Sequence, residues 1–232
     1  MSTQQPVRNK SDVENISKMS SLQQGILFHS LQQEGSDPYF YQYGFDIEGR
    51  FEPALFNSAW EQVARHYQVM RTNYRWEEVE TPLQIVFKTP HLDIEVTDLQ
   101  GLSDAEAETV IRQSLQAVKQ AGYDFRQGSP VALKVFTHSA ERWSFHWSFH
   151  HISLDGWSVS KVLGDLLQSY EALLGGKTHS ISGTLPYTRY IQWVHEQDKA
   201  ALDNHWRDTL AGFAEKTPLP LIGDYSDARY AE

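Results

Sequence analysis

The sequence predicts an α+β layered fold of the α/β class, in which strands and amphipathic helices follow one another along the chain. Three observations support this prediction. Apolar residues alternate with a period of two in several short stretches, which is typical of strands. Other stretches repeat apolar residues at helical spacing. Hydrophobic residues make up 40% of the 232 residues and aromatic residues 12%, which is enough for a packed core.

The first half of the chain begins with a polar stretch over residues 1–18, which indicates a flexible leader. Residues 20–33 carry apolar residues at helical spacing, and residues 41–47 alternate as in a strand. A helix follows that begins near Pro53, because proline suits the first turn of a helix. Three short strands are then expected, at Met70–Glu77, Leu83–Lys88 and Leu92–Thr97.

In the second half of the chain, predicted helices and strands again follow one another. A polar helix is predicted over Asp104–Ala121, followed by strands at residues 130–137 and 143–151. A further helix is expected after the Asp-Gly pair, and it should end before Gly175. Beyond a linker at residues 177–186, one long helix is expected over Tyr187–Leu210.

Composition argues against several classes of function. The net charge of −10 disfavours binding to the phosphates of nucleic acids or to an anionic membrane surface. No apolar run reaches the roughly 18 residues of a membrane span, and the polar N-terminus lacks the apolar stretch of a signal peptide. The absence of cysteine excludes disulfides, thiolate metal sites and a cysteine nucleophile. The sequence therefore predicts a cytoplasmic protein without nucleic-acid or membrane partners.

The stretch FHWSFHHISLDGWS, residues 145–158, is the candidate functional motif. His150 and His151 are adjacent at the end of a predicted strand, so their side chains should point to opposite faces. The alternation assigns His151 to an aromatic face and His150 to a polar one. The aromatic face is formed by Trp143, Phe145, Trp147 and Phe149. The two histidines are therefore expected to have different roles.

Three interpretations of the pair stay open on the residue pattern alone. In the first, both histidines are hydrogen-bonded parts of a polar strand. In the second, one of them is a general acid or base at a strand end that a substrate can reach. In the third, one of them binds zinc with Asp155, although opposite-facing neighbours cannot easily share a metal and no further ligands are spaced for it.

The stretch also resembles the HHxxxDG motif of the condensation domains of nonribosomal peptide synthetases, with His150, His151, Asp155 and Gly156 at its defined positions. Other stretches resemble further motifs of the family in the same order. SLQQGILFHSL (21–31) resembles the first motif, MRTNY (70–74) the end of the second, and PYTRYIQW (186–193) a later one. The resemblance covers about residues 16–213.

The chain departs from the family pattern at several positions. The second motif usually contains Arg-His where a gapless match places His66 and Tyr67. In the later motif Thr188 replaces an aspartate and Ile191 an alanine. None of these positions is expected to take part in chemistry. The family's domain is also about twice as long, and its later motifs are absent here.

The family fold is a pair of lobes similar to chloramphenicol acetyltransferase, arranged as a V around an active-site tunnel. Each lobe has a mixed sheet flanked by helices. The resemblance implies that residues 19–176 are the N-terminal lobe and that residues 177–232 are a linker and the truncated start of the C-terminal lobe. The leader, residues 1–18, could dock an upstream partner.

The resemblance implies an acyltransferase that forms peptide bonds. The amine of an acceptor aminoacyl thioester attacks a donor acyl or peptidyl thioester, and both substrates are carried on the phosphopantetheine arms of carrier proteins. The implied partners are the donor and acceptor peptidyl carrier proteins and an adjacent adenylation domain. No bound cofactor and no metal are implied. The isolated chain is expected to be poorly active because its tunnel is incomplete.

The motif match also implies residue roles. His151 is the expected catalytic residue, either removing a proton from the amine or holding it by a hydrogen bond. Gly156 is the second expected catalytic position, where a side chain would obstruct the acceptor thioester or the donor to the oxyanion. A plain turn glycine is the alternative for Gly156. His150 is expected to be structural. Asp155 is expected to form a salt bridge with Arg71, so that Asp155→Ala would damage folding as much as chemistry.

Three further residues are candidates for the wall of the tunnel, namely His29, Trp157 and Ser158. A packed position is the alternative for His29 on its predicted helix. Packing is likewise the alternative for Trp157.

Two other members of the superfamily are alternatives. An epimerisation domain inverts the α-carbon of a tethered aminoacyl group and usually carries Ser-Trp after the glycine, whereas here Trp157 precedes Ser158, which favours condensation. A non-catalytic recruitment module typically lacks the second histidine, and His151 is present. An inactive isolated lobe is the remaining alternative.

Overall fold

The computed structural model describes residues 10–32, 37–90 and 94–215. Strands and helices follow one another along the chain, which confirms the predicted layered fold. The strands are β1 Val13–Lys18, β2 Phe40–Glu48, β3 Thr72–Arg75, β4 Leu83–Phe87, β5 Ile94–Asp98, β6 Val131–Ser139 and β7 Arg142–His150. The helices are α1 Ser21–Gln32, α2 Pro53–His66, α3 Asp104–Ala121, α4 Gly156–Leu174, α5 Tyr187–Glu196 and α6 Lys199–Thr209.

The strand β7 lies inside a four-stranded mixed sheet with the order β2-β7-β6-β5. It pairs antiparallel with β2 and with β6, while β5 and β6 are parallel. The register places Phe40 opposite His150 and Tyr41 opposite Phe149. The edge strand β2 therefore runs beside the whole of β7, including the end that carries the histidines.

The helices α2 and α4 cover one face of this sheet and form the main hydrophobic core with it. Trp60 of α2 and Trp147 of β7 are at most 1% exposed, and their rings meet edge to face with centroids 5.6 Å apart. Burial of one large apolar side chain typically contributes about 1.5–3 kcal/mol. The aromatic face of β7 therefore anchors the strand against the helices.

The helix α3 lies on the opposite face, where Ala107 packs with Leu99 and Phe136. Both of its bounds agree with the prediction from sequence. Ser103 and Glu106 cap its start reciprocally, each side chain accepting from the backbone of the other residue. Gln42 of β2 donates to the carbonyl oxygen of Leu115 at 3.1 Å. The sheet is therefore flanked by helices on both faces.

The first described segment corrects the predicted leader. Residues 1–9 lie outside the described residues, but Lys10–Asp12 form a short 3₁₀ helix and Val13–Lys18 form β1. This strand pairs antiparallel with β4, which pairs with β3 to complete a three-stranded sheet. The polar sequence of β1 concealed a strand because β1 is an edge strand with mostly exposed side chains.

The single long helix predicted over Tyr187–Leu210 is wrong. The helix α5 ends at Glu196, and Asp198 caps a second helix, α6. Its carboxylate accepts hydrogen bonds from the backbone N–H groups of Ala200 and Ala201, each at 3.0 Å. An aspartate that bonds the backbone in this way favours a helix start over a helix interior.

The described residues divide into two compact units, one that ends at Val194 and one that begins at His195. The predicted boundary after residue 176 stays a prediction. Residues 177–186 contain neither helix nor strand, and their role as a linker stays a prediction as well. Residues 91–93 and 216–232, which fall in a predicted strand and in the predicted second lobe, lie outside the described residues. Within the described part of the chain, no helix combines the length and the apolar character needed to cross a bilayer.

Candidate active site

The two neighbouring histidines at the end of β7 face opposite sides of the sheet, as predicted. The ring of His151 lies against Tyr41, with centroids 4.3 Å apart, and near Phe149 at 5.9 Å. The ring of His150 instead meets Phe125 at 4.7 Å. His151 therefore lies on the aromatic side of the strand, as its parity in the sequence predicts.

His151 is held in one tautomer by the turn that follows β7. Its Nδ1 lies 2.6 Å from the carbonyl oxygen of Leu154, and since a carbonyl only accepts, the proton of the neutral ring is on Nδ1. Nε2 then carries a lone pair and has no hydrogen-bond partner among the described residues. The residue is half-buried. A half-buried imidazole with a bare Nε2 is suited to accept a proton or an N–H hydrogen bond.

His150, by contrast, is 0% exposed and uses both ring nitrogens within the protein. Its Nε2 lies 2.8 Å from Asp37 Oδ2, and its Nδ1 accepts from the backbone N–H of Ile152 at 3.1 Å. Burial opposes the ionisation of Asp37, but hydrogen bonds from His150, from the N–H of Tyr39 and from Ser30 outweigh it and lower the pKa of Asp37. This geometry suits the structural role predicted for His150.

The turn after β7 is also tied to two other elements. The carbonyl oxygen of Ile152 accepts from Gln23 Nε2 of α1 at 3.1 Å and from Tyr74 Oη of β3 at 3.2 Å. Tyr74 is fully buried, and this burial raises the pKa of its hydroxyl. Its Oη also lies 3.1 Å from Ser153 Oγ. The backbone that presents His151 is therefore fixed by side chains distant in sequence.

The predicted salt bridge between Asp155 and Arg71 is wrong. Arg71 is 6% exposed and forms an ion pair with Glu14 of β1, and it also donates to the carbonyl oxygen of Phe87. Burial opposes ionisation of Glu14, but its bonds to Arg71 and Gln68 outweigh this and lower its pKa. The reason for the error is that the stretch taken as a leader forms β1 and supplies the carboxylate.

Asp155 instead caps α4. Its Oδ1 accepts from the backbone N–H of Ser158 at 2.8 Å. Hydrogen bonding to Ser158, first to its side chain and then to its backbone, lowers the pKa of Asp155. Its side chain is exposed. Among residues 10–32, 37–90 and 94–215, no group of three histidine, aspartate or glutamate side chains is arranged to hold a metal ion.

Three of the four remaining predicted site residues lie at exposed positions. Gly156 begins α4 with an ordinary backbone conformation, and a Cβ placed on it would meet no atom within 4 Å. Trp157 is 87% exposed, so the packed alternative is wrong within this unit. His29 is exposed on α1, with its ring 6.4 Å from that of Tyr39, and its packed alternative is wrong as well. Ser158 is half-buried. The tunnel-lining role of His29, Trp157 and Ser158 stays a prediction, and so does the place of Gly156 beside the acceptor thioester.

Sequence reasoning missed three side chains that shape the site, namely Gln23, Asp37 and Tyr74. Gln23 and Tyr74 lie within the stretches that match the first two family motifs, so the motif positions were a signal for them. Asp37 had no such signal. It is separated from His150 by 113 residues, and only the folded chain brings the two together.

Comparison with known proteins supports the family resemblance. The family model of the condensation domain matches residues 13–231. A component of the linear gramicidin synthase of Brevibacillus parabrevis is 36% identical over 210 residues, which cover 90% of this chain and 3% of that protein. Tyrocidine synthase 2 of the same organism is 30% identical over 214 residues, which cover 92% of this chain and 6% of that protein. The chain therefore spans a small part of these relatives.

Solved structures with the same fold are also found. The starter condensation domain of rhizomide synthetase has a TM-score of 0.77 at 21% identity, and the match covers 87% of this chain and 49% of that one. A chain of the complex of the X-domain and OxyB from teicoplanin biosynthesis has a TM-score of 0.70 at 19% identity. That match covers 93% of this chain and 47% of the other one. These likenesses confirm the predicted fold.

Sequence motif, fold and relatives lead to the same family. The HHxxxDG stretch lies at the end of β7 and the start of α4, with one histidine buried and the other half-exposed beside aromatic rings. The resemblance to condensation domains of nonribosomal peptide synthetases is thereby confirmed. The chain belongs to the condensation domain family.

Proposed function

We propose that this chain is the N-terminal lobe of a condensation domain that joins two thioester-bound substrates by a peptide bond. The observation that carries the proposal is the orientation of His151, whose Nδ1 is bonded to the carbonyl of Leu154 while Nε2 is left without a partner among the described residues. Membership of the family supports the reaction class.

The residues allow a simple sequence of steps. The amine of the acceptor attacks the donor thioester carbonyl, so that a C–N bond forms, the C–S bond breaks and the thiolate leaves on the donor arm. His151 Nε2 either accepts the amine proton, which then passes to the thiolate, or holds the amine by accepting its N–H. General-base action is typically worth about 10²–10⁴ in rate, and orientation of the reactants can contribute more. Tyr41, in ring contact with His151, restricts the rotation of the imidazole.

The proposed partners follow from this chemistry. Both substrates arrive as thioesters on the phosphopantetheine arms of a donor and an acceptor carrier protein, and an adjacent adenylation domain supplies one of the amino acids. The phosphopantetheine is a substrate carrier here, and no bound cofactor is part of the proposal. A cytoplasmic location is proposed with it.

We expect residues 1–232 alone to form little or no peptide bond. The match covers 49% of the solved condensation domain, and the proposed tunnel needs walls from two lobes. The proposal therefore assigns activity to a longer polypeptide that contains this chain. Robust turnover by the 232-residue chain would contradict this part of the proposal.

The test uses the longest native polypeptide that contains the chain, with donor-loaded and acceptor-loaded carrier proteins in deuterated buffer. Intact-protein mass spectrometry should find the peptide on the acceptor carrier. The product should fall sharply with His151→Ala and stay unchanged with His205→Ala, which alters an exposed histidine on α6. Deuterium in the α-carbon of a tethered aminoacyl group, without peptide, would instead identify an epimerisation domain.

A further inference from the structure

The carboxylate of Asp37 accepts three hydrogen bonds beside the histidine pair. Its Oδ2 accepts from His150 Nε2 at 2.8 Å, and its Oδ1 accepts from the backbone N–H of Tyr39 at 2.9 Å and from Ser30 Oγ at 3.2 Å. The pKa of Asp37 is lowered by these bonds, which favours the charged acceptor form. Asp37 thus joins the end of α1, the start of β2 and the end of β7.

The contacts with Asp37 and with the backbone N–H of Ile152 set the tautomer of His150 together. A carboxylate only accepts, so the proton of the neutral ring is on Nε2. Nδ1 is then free to accept from the backbone N–H of Ile152, as observed at 3.1 Å. The carbonyl oxygen of His150 accepts from the N–H of Ser153 at 3.0 Å and closes the turn. The ring and the carbonyl of one residue therefore organise the turn that begins at His151.

A second connection runs through Tyr39. Its backbone N–H is held by Asp37, and its carbonyl oxygen accepts from the N–H of His151 at 2.9 Å. Asp37 is therefore bonded to the two segments that meet at His151, through Tyr39 just before β2 and through His150 at the end of β7. The turn shaped in this way carries the carbonyl of Leu154, which fixes His151 Nδ1.

We propose that Asp37 is a positioning residue for His151, acting through the tautomer of His150 and through the backbone of Tyr39. Its kinetic consequence rests on the proposed function. Loss of the carboxylate would release the turn and let the His151 ring exchange between tautomers and orientations. Misplacement of a reacting group by about 1 Å can lower a rate by about 10².

The variant Asp37→Asn tests this with little change of shape. An asparagine offers one oxygen and one NH₂ group, so it can satisfy either His150 Nε2–H or the pair of Tyr39 N–H and Ser30, but not both. A second variant, Asp37→Ser, keeps a short acceptor for the N–H of Tyr39 and loses the reach to His150. The matched control is Asp46→Asn, an exposed aspartate on β2.

Two readouts are needed. The first is nitrogen-15 NMR of the histidine rings in the 232-residue chain at neutral pH. We expect His150 protonated at Nε2 and His151 at Nδ1 in the parent, and a mixture of tautomers at His151 in both Asp37 variants. The second is the carrier-protein assay in the longest native polypeptide. We expect kcat to fall by about 10–100-fold while KM for the acceptor-loaded carrier changes by less than about threefold.

Each contrary result has a definite meaning. Parent-like tautomers at His150 and His151 in the Asp37 variants would overturn the proposal, even with a lower rate, because the loss would then be general destabilisation. Mixed tautomers with an unchanged kcat would overturn it as well. A parent that forms no peptide would remove the proposed function, whereas the ring signals of His151 would still decide whether Asp37 positions it. The Asp46→Asn control should match the parent in both readouts.

Discussion

The two sides of the end of β7 differ although each carries a histidine from the same dipeptide. On one side His150 is 0% exposed, and the protein satisfies both of its ring nitrogens. On the other side His151 is half-buried, with one nitrogen held by Leu154 and the other without a partner in the described part of the chain. A histidine with both ring nitrogens hydrogen-bonded stabilises the fold. A histidine with one unbonded ring nitrogen can use that nitrogen to bind a substrate or accept a proton.

This difference comes from the alternation of a strand and from what each face meets. The face of His150 meets Asp37 and Ser30, which are polar and close. The face of His151 meets the rings of Tyr41 and Phe149, whose ring faces offer no hydrogen-bond donor to Nε2. Identity of residue type therefore does not set the role, and the surrounding groups do.

The largest expected effect is on the open side. His151→Ala should lower the rate of peptide formation by about 10²–10⁴, because it removes the proton acceptor or the group that holds the amine. The free energy of unfolding should change by less than about 1 kcal/mol, since one hydrogen bond and a half-buried ring are lost. The checks are product formation by mass spectrometry and urea unfolding. A large loss of stability would contradict the assigned difference between the faces.

The closed side should respond in the opposite way. His150→Ala should lower the free energy of unfolding by about 2–4 kcal/mol. The substitution leaves a cavity and removes the hydrogen bonds that the His150 ring makes with Asp37 and with the N–H of Ile152. Urea unfolding followed by tryptophan fluorescence measures this. His29→Ala, at an exposed site on α1, should change the stability by less than about 0.5 kcal/mol. Equal effects of the two variants would show that the buried network contributes nothing.

A third test uses two variants to find which acid supports the buried Arg71. Glu14→Ala should destabilise by about 2 kcal/mol, between the values for exposed and buried ion pairs, because among the described residues Arg71 then keeps only the carbonyl of Phe87. Asp155→Ala should cost about 1 kcal/mol, the usual loss for a helix N-cap. Thermal or urea unfolding decides between them. A larger loss of stability in Asp155→Ala than in Glu14→Ala would support the salt bridge between Asp155 and Arg71 that the sequence predicts.

The smallest effect concerns the pH dependence of stability. The pKa of Asp37 is lower in the folded chain than its usual 3.8, so its stabilising contribution is present above that value and is lost as the pH falls through the folded pKa. On acidification below about pH 4, the parent should lose more stability than Asp37→Asn, which has no such group to protonate. Urea unfolding at a series of pH values measures the two slopes. Identical slopes would mean that the Asp37 carboxylate is not stabilised by folding.

Prediction from sequence succeeded where the signal is local. The helix α3 was predicted with both bounds, since its apolar spacing and its capping residues lie within the helix or next to it. The opposite faces of β7 followed from the alternation of side chains. The prediction failed for β1, whose polar edge sequence resembles a leader, and for the helix start at Asp198, which was hidden inside a helical pattern.

The sequence by itself determined the family, the order of the elements between α1 and α5 and which of the two histidines faces the aromatic side, because motifs, periodicity and strand alternation are properties of neighbouring residues. Only the tertiary structure decided which acid meets which base. Glu14 reaches Arg71 across 57 residues and Asp37 reaches His150 across 113. Such pairs depend on how strands pair and on which groups burial brings together, and a linear pattern carries no record of either.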